Sequence, residues 1–259
     1  CEILKSYNLR APFNEVLIDA KVIILKKRNK NNLNVVKNKK NHDGLIPINK
    51  LSYIKRGIGL ISKKIFKANK NDVFFNLSKK IILNARNIDI AKNKIIPGRA
   101  YLFNKNELVP KKLRIILSNS YKKYHKKKLK ILTHHLKTGP IIFNYYFRKK
   151  INFHLNVRNF PVSDNFYIIE PKSFSNEAFN ILLNSNAFKR KILLNSRSQG
   201  SGLRKIQLYE FNQIMLPNFN KLNDKTLKKL EKKIIMNQKN ERLINKIVNT
   251  SLKNENTIL

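Results

Sequence analysis

The chain has 259 residues with 55 Lys+Arg against 15 Asp+Glu, a formal net charge of +40, and 42% of its residues are hydrophobic. That apolar content is enough to build a core, so a disordered chain is excluded, and so large a basic excess calls for a polyanionic partner, nucleic acid first. No stretch reaches the roughly 20 uninterrupted apolar residues of a spanning helix, which points away from membrane.

Lys, Asn and Ile dominate throughout, as AT-rich codon usage favours, so part of the charge is genomic drift. The shortage of Asp and Glu has no such origin. The single cysteine, Cys1, leaves no internal disulfide and no Cys-based zinc site, in keeping with a reducing cytoplasm.

Residues 16–25 form a β-branched apolar run that predicts a buried strand. The Lys/Asn segment at 26–40 has no periodicity and reads as a solvated linker or loop. Beyond Ile46, short apolar pieces around 51–60, 72–77 and 81–90 predict short strands and turns. Residues 110–132 carry Leu113, Ile116, Leu117, Tyr121 and Tyr124 at helical spacing with lysines over the other face, which predicts a basic amphipathic helix.

After the Gly139-Pro140 break, Ile141, Phe143, Tyr145 and Phe147 alternate, then Ile151, Phe153 and Leu155, which predicts a hairpin. A further strand fits 166–169, stopped by Pro171. Ser175 is placed to cap a helix with Ala178, Ile181 and Leu182 on its buried face, and a second short helix carries Phe188 and Ile192. A small-residue loop, Ser196-Arg-Ser-Gln-Gly-Ser-Gly202, leads into Leu203-Arg-Lys-Ile206. From Asp224 onward the apolar spacing predicts one long basic helix.

Enzyme chemistry finds little material here. Neither Gly57-Ile-Gly59 nor Gly200-Ser-Gly202 both follows a clear strand and opens a helix with an acidic residue beyond, so neither is read as a phosphate or dinucleotide loop. His134 and His135 have no acidic or Cys neighbour to complete a metal or acid–base site and read as a surface pair. Basic residues interleaved with aromatics remain: Tyr121 and Tyr124, then Tyr145, Tyr146 and Phe147 before Arg148 and Lys149, and the Arg197 to Arg204 loop. Lysine and arginine neutralise phosphates, arginine can fork onto guanine edges, and small residues let backbone amides approach a duplex. Alternate aromatics such as Tyr145 and Phe147 belong to a core more readily than to a stacking platform.

Three runs in order, Leu182-Leu-Asn-Ser-Asn-Ala-Phe188, Ser196-Arg-Ser-Gln-Gly-Ser-Gly-Leu-Arg-Lys-Ile206 and Tyr209-Glu-Phe-Asn-Gln-Ile-Met-Leu-Pro217, resemble the closing signature of the target-recognition domain of adenine-specific (N6) type II DNA methyltransferases from restriction–modification systems. Residues 137–148, 153–156 with 165–167, and Ile54-Lys-Arg-Gly-Ile58 with Asp72-Val-Phe-Phe75 are similar to the same family, and 20–25 to the last strand of its catalytic domain. Gln199 and Ser201 depart from it, standing where an aromatic and a glycine are usual, and the usual continuation after Ile58 is missing.

The resemblance implies an α+β, short-stranded recognition domain with basic helices, preceded by the last strand of an α/β methyltransferase domain and followed by a C-terminal helix. The implied boundaries are 1–28 for the end of the catalytic domain, 29–45 for a linker or loop, 46–222 for DNA recognition and 223–259 for the basic helix. Double-stranded DNA is the implied partner, with a cognate restriction endonuclease in the same system and a cytoplasmic location. Arg197, Ser198, Gly200, Gly202, Arg204, Lys205, Arg148 and Lys149 are the expected DNA-facing residues.

No two prolines are adjacent, so the Asn/Asp-Pro-Pro-aromatic motif that grips a flipped adenine is absent, as are the acidic and glycine motifs that hold S-adenosyl-methionine. The cofactor is expected in the intact enzyme and not on this chain, which alone should be inactive, with the catalytic half upstream of Cys1. The competing reading is a noncatalytic RNA-binding or ribosome-associated basic protein. The specificity subunit of a multisubunit restriction enzyme fits less well, because the recognition loop occurs once.

Overall fold

The structure is a computed structural model that describes residues 2–9, 20–26, 44–60, 66–89, 94–104, 107–125, 135–148 and 150–250, with backbone only for 2–9, 20–26 and Tyr124. The linker expected at 26–40 lies almost wholly outside these residues, as do His134, Lys149 and the end of the helix expected at 110–132. The fold is α+β, with short helices among several small sheets. The chain forms two compact units that interleave in sequence: Cys1–Leu51 with Tyr146–Ile151 and Ile181–Leu259, and Ser52–Tyr145 with Asn152–Asn180.

The second of these units is organised by a four-stranded antiparallel sheet, in the order Phe153–Leu155, Ile141–Asn144, Phe166–Pro171 and Ser52–Arg56. Its two central strands are apolar without alternation, because both faces are covered: Ile141, Ile142 and Phe143 are buried, and so are Phe166, Tyr167, Ile168 and Ile169. The Phe143 and Phe153 rings stack across the strands at 4.5 Å, and Tyr145 stacks on Tyr167 at 4.7 Å. The hairpin expected from 141–155 forms through Phe153↔Phe143, His154↔Ile142 and Leu155↔Ile141.

Close backbone packing joins the sheet to the loops beside it. A Cβ at Gly57 would lie 2.2 Å from the Ser163 carbonyl oxygen and 2.4 Å from that of Val162, so the chain passes here only without a side chain. The Ser163 hydroxyl and the Asn165 amide both donate to the Leu83 carbonyl, at 2.6 and 2.9 Å.

Another core lies under the helix Lys111–His125, where Leu113 and Leu117 are buried with Phe66, Ile81, Tyr101, Leu102 and Phe103. Tyr121 packs against it in part, but Ile116 is half exposed, a correction to the buried face expected from spacing alone. Three apolar positions already fill the available side of the helix, and Ile116 falls past its edge.

In the first unit, Glu2–Leu9 pairs antiparallel with Ala20–Lys26, which places a strand in the apolar run expected at 16–25. The helix Asn186–Asn195 is capped by the Ser185 hydroxyl, which accepts from the Phe188 amide at 3.2 Å, and buries Ala187, Phe188 and Ile192. Lys191 reaches from this helix to the carbonyls of Met215 and Val248, at 2.9 and 3.2 Å, and its burial lowers its pKa.

The expected long C-terminal helix is two helices, Asp224–Met236 and Glu241–Asn249. Asn237 ends the first by returning its side chain to the Lys233 carbonyl at 2.9 Å, and Asn240 caps the second at the Leu243 amide at 3.2 Å. No helix among the described residues is long and apolar enough to cross a membrane.

Candidate nucleic-acid interface

The small-residue loop folds as the tip of a tight hairpin. Arg197–Ser198 pairs antiparallel with Arg204–Lys205, which pairs on its other side with Tyr146–Phe147. The amide of Gln199 donates to the Leu203 carbonyl at 2.8 Å and that of Leu203 to Gly200 at 2.9 Å. Three consecutive residues take positive φ: Gly200 at 82°, Ser201 at 49° and Gly202 at 70°. Two glycines make this left-handed path accessible, and Ser201 holds it at a steric cost that a glycine would not carry.

The hairpin sheet gathers Arg148, Arg197, Ser198, Gly200, Gly202, Arg204 and Lys205 from positions up to 57 residues apart in sequence. Lys149 is outside the described residues. Arg148 donates to the Ser201 carbonyl and so ties the neighbouring strand to the tip. The Lys205 ammonium sits 5.0 Å from the centre of the Tyr146 ring.

The two arginines of the hairpin have different surroundings. Arg204 turns back onto the end of the helix Asn186–Asn195: its Nε donates to the Ser196 hydroxyl at 2.8 Å, and Nη2 to the carbonyls of Ser196 and Leu193, at 2.9 and 3.1 Å. Both carbonyls lie at the C-terminus of that helix, where Leu193 also accepts from the Ser196 amide and hydroxyl, so the guanidinium adds to the cap and complements the helix dipole.

Arg197 instead stands out from the edge strand with 56% of its side chain exposed. Its Nε donates to Glu210 Oε1 at 2.5 Å, and Nη2 donates to the Tyr209 hydroxyl. The Glu210 hydrogen bond raises the Arg197 pKa. Burial pushes the Glu210 carboxyl up, but the Gln207 amide, which donates to Oε2 at 2.8 Å, and the Arg197 and Tyr209 side chains outweigh it and hold the carboxyl below its ordinary range. Glu210 is thus both the capping residue of the helix Leu208–Asn212 and the counter-ion of Arg197.

Sequence reasoning missed Glu210, Tyr209 and Ser196. The Gln207-x-x-Glu210 spacing could have disclosed the cap, whereas the ion pair depends on the hairpin turning Arg197 toward that helix. Tyr145 and Phe147 are buried, in keeping with a core role for these aromatics, and His135 is exposed. Among the described residues, no group of three or more His, Cys, Asp or Glu side chains could hold a metal ion.

No protein-family profile matches the chain, and no curated protein matches it in sequence. Among solved structures, it is similar to the type IIG restriction endonuclease BpuSI, with 12% sequence identity and a TM-score of 0.45. The match covers 77% of this chain but 27% of the BpuSI chain, so the present chain corresponds to only part of that protein's length.

Proposed function

We propose that the chain is the DNA target-recognition part of an S-adenosyl-methionine-dependent, adenine-specific DNA methyltransferase of a restriction–modification system. The observation that carries this reading is the braced hairpin. Its tip exposes Ser201 and Gly202, although Gly200, also expected to face DNA, is buried; its edge strand exposes Arg197 and Ser198, and Arg148, Lys205 and Arg204 surround it with positive charge. A small hairpin, held at its base and cationic at its edge, suits the groove of a duplex.

In this account, Arg197 exchanges Glu210 for a base edge or phosphate, and Arg204 acts as a positioning residue that fixes the hairpin on its helix. Ser198 and the backbone around Gly200 and Gly202 provide further contacts. The adenine is flipped and methylated by groups outside these 259 residues. The chain lacks the motifs that would hold S-adenosyl-methionine, so no step of methyl transfer belongs to its residues. A cognate restriction endonuclease acts at the same site.

The test is competition binding, with labelled duplex DNA displaced by unlabelled duplex DNA or by structured RNA of equal length. Stronger displacement by duplex DNA is the expected result. Stronger displacement by structured RNA would overturn the proposal in favour of an RNA-binding protein.

A further inference from the structure

The helix Asp224–Met236 has two sharply different faces. Leu227, Leu230 and Ile234 are buried, while Lys225, Lys228, Lys229 and Lys232 are all exposed. The lysines follow i, i+3, i+4 and i+7 spacing, which puts them on one side of the helix, neighbouring Cβ atoms about 5–6 Å apart, along about 10 Å of axis. None of the four side chains makes a hydrogen bond or ion pair with another described residue.

Both ends of the helix are fastened. Asn223 accepts from the Thr226 amide at 2.8 Å, and Asn237 closes the other end on Lys233. The lysines are therefore displayed from a fixed rod, at the cost of mutual repulsion that a polyanion would relieve.

From this geometry we infer that the lysine face is a sequence-independent contact for the phosphate backbone of duplex DNA, separate from the hairpin. The inference rests on the reading of the chain as a duplex-DNA reader. A duplex carries one negative charge per ~1.7 Å of axis, a linear density that four cations in about 10 Å can engage together. Lysine is a compact point charge that holds phosphates without selecting bases. A single-strand platform would need exposed aromatic rings, and the helix contains none.

The experiment measures the affinity of the 259-residue chain for a nonspecific DNA duplex over a range of salt concentrations. Two variants with equal loss of charge are compared, K225Q/K228Q/K229Q/K232Q and a control, K67Q/K70Q/K80Q/K94Q, whose lysines are exposed elsewhere. The first should flatten the slope of log affinity against log salt by about 3–4, at roughly 0.9 for each phosphate no longer neutralised, and the control by less than about 1. Circular dichroism of the first variant should be unchanged, because every substitution is at an exposed helical position.

Equal flattening by both variants, or none by the first, would overturn the lysine face while leaving the duplex reading standing. Failure of the unsubstituted chain to bind duplex DNA would overturn both.

Discussion

Arg204 donates to the carbonyl of Leu193 at 3.1 Å, so an arginine from the central strand of the hairpin closes the helix that precedes it. The same guanidinium also holds the hydroxyl and carbonyl of Ser196. Replacing Arg204 with Ala should therefore destabilise the fold by about 1–3 kcal/mol, as loss of a charged hydrogen-bonding group does. Arg204→Lys, which keeps the charge but not the planar fork, should recover less than half of it. Urea unfolding with an unchanged slope would read both values, and full recovery with lysine would reduce Arg204 to a simple charge.

At the tip, the backbone predicts opposite effects for neighbouring positions. A Cβ at Gly202 meets nothing within 4 Å, so the cost of Gly202→Ala comes from its φ of +70° alone, about 1–2 kcal/mol. Ser201→Gly relieves the same kind of strain and should stabilise the chain by up to about 1 kcal/mol, reduced by the greater freedom of glycine in the unfolded state. Thermal unfolding of the two variants should show shifts of opposite sign.

Gly57 is constrained by contact rather than by φ. Gly57→Ala drives a methyl group into the carbonyl oxygens of Ser163 and Val162, and neither backbone can withdraw without breaking the pairing of Ile58 with that segment. A loss on the order of 3 kcal/mol is expected. A melting temperature equal to that of the parent chain would contradict this packing.

Much of this architecture was legible in the sequence. The strand at 166–169 and the Ser175 helix start follow from an apolar run and a capping residue, which are local signals. The alternation expected at 141–147 gives way to a run buried on both faces, and the segment expected as a loop is the Arg197 to Lys205 hairpin. The break between the two C-terminal helices was missed because the apolar spacing runs on across Asn237-Gln-Lys-Asn240, where two Asn side chains serve as caps. The pairing of Tyr146–Phe147 with Arg204–Lys205 was not legible either, because nothing in either pair specifies a partner so distant in sequence. The roles of Arg197 and Arg204 were indistinguishable for the same reason. Both are arginines beside a glycine loop, and only the fold turns one toward a helix end and leaves the other at an exposed edge.

Tyr101 supplies a pH signature. Its hydroxyl donates to Asp72 at 3.0 Å, and burial together with that carboxylate pushes its pKa up to about 12. The folded state keeps this proton where the unfolded chain, with a tyrosine pKa of about 10, has lost it, so the contribution is full below about pH 10 and lost as pH rises toward 12. Tyr101→Phe should cost about 1–2 kcal/mol at neutral pH, and the difference from the parent chain should shrink between pH 10 and 12. Urea melts of both chains across that interval give the comparison, and a constant difference would rule out the Tyr101–Asp72 linkage.

The central claim is that Arg197, at the edge of the hairpin, reads duplex sequence. Selection from a randomised DNA duplex library by the parent chain and by Arg197→Ala, followed by sequencing of the bound fraction, tests it most directly. The account predicts that the parent chain enriches one short sequence, and that Arg197→Ala, with its thermal unfolding little changed, relaxes one or two positions of it. No enrichment by the parent chain, or an identical sequence from both, would contradict it.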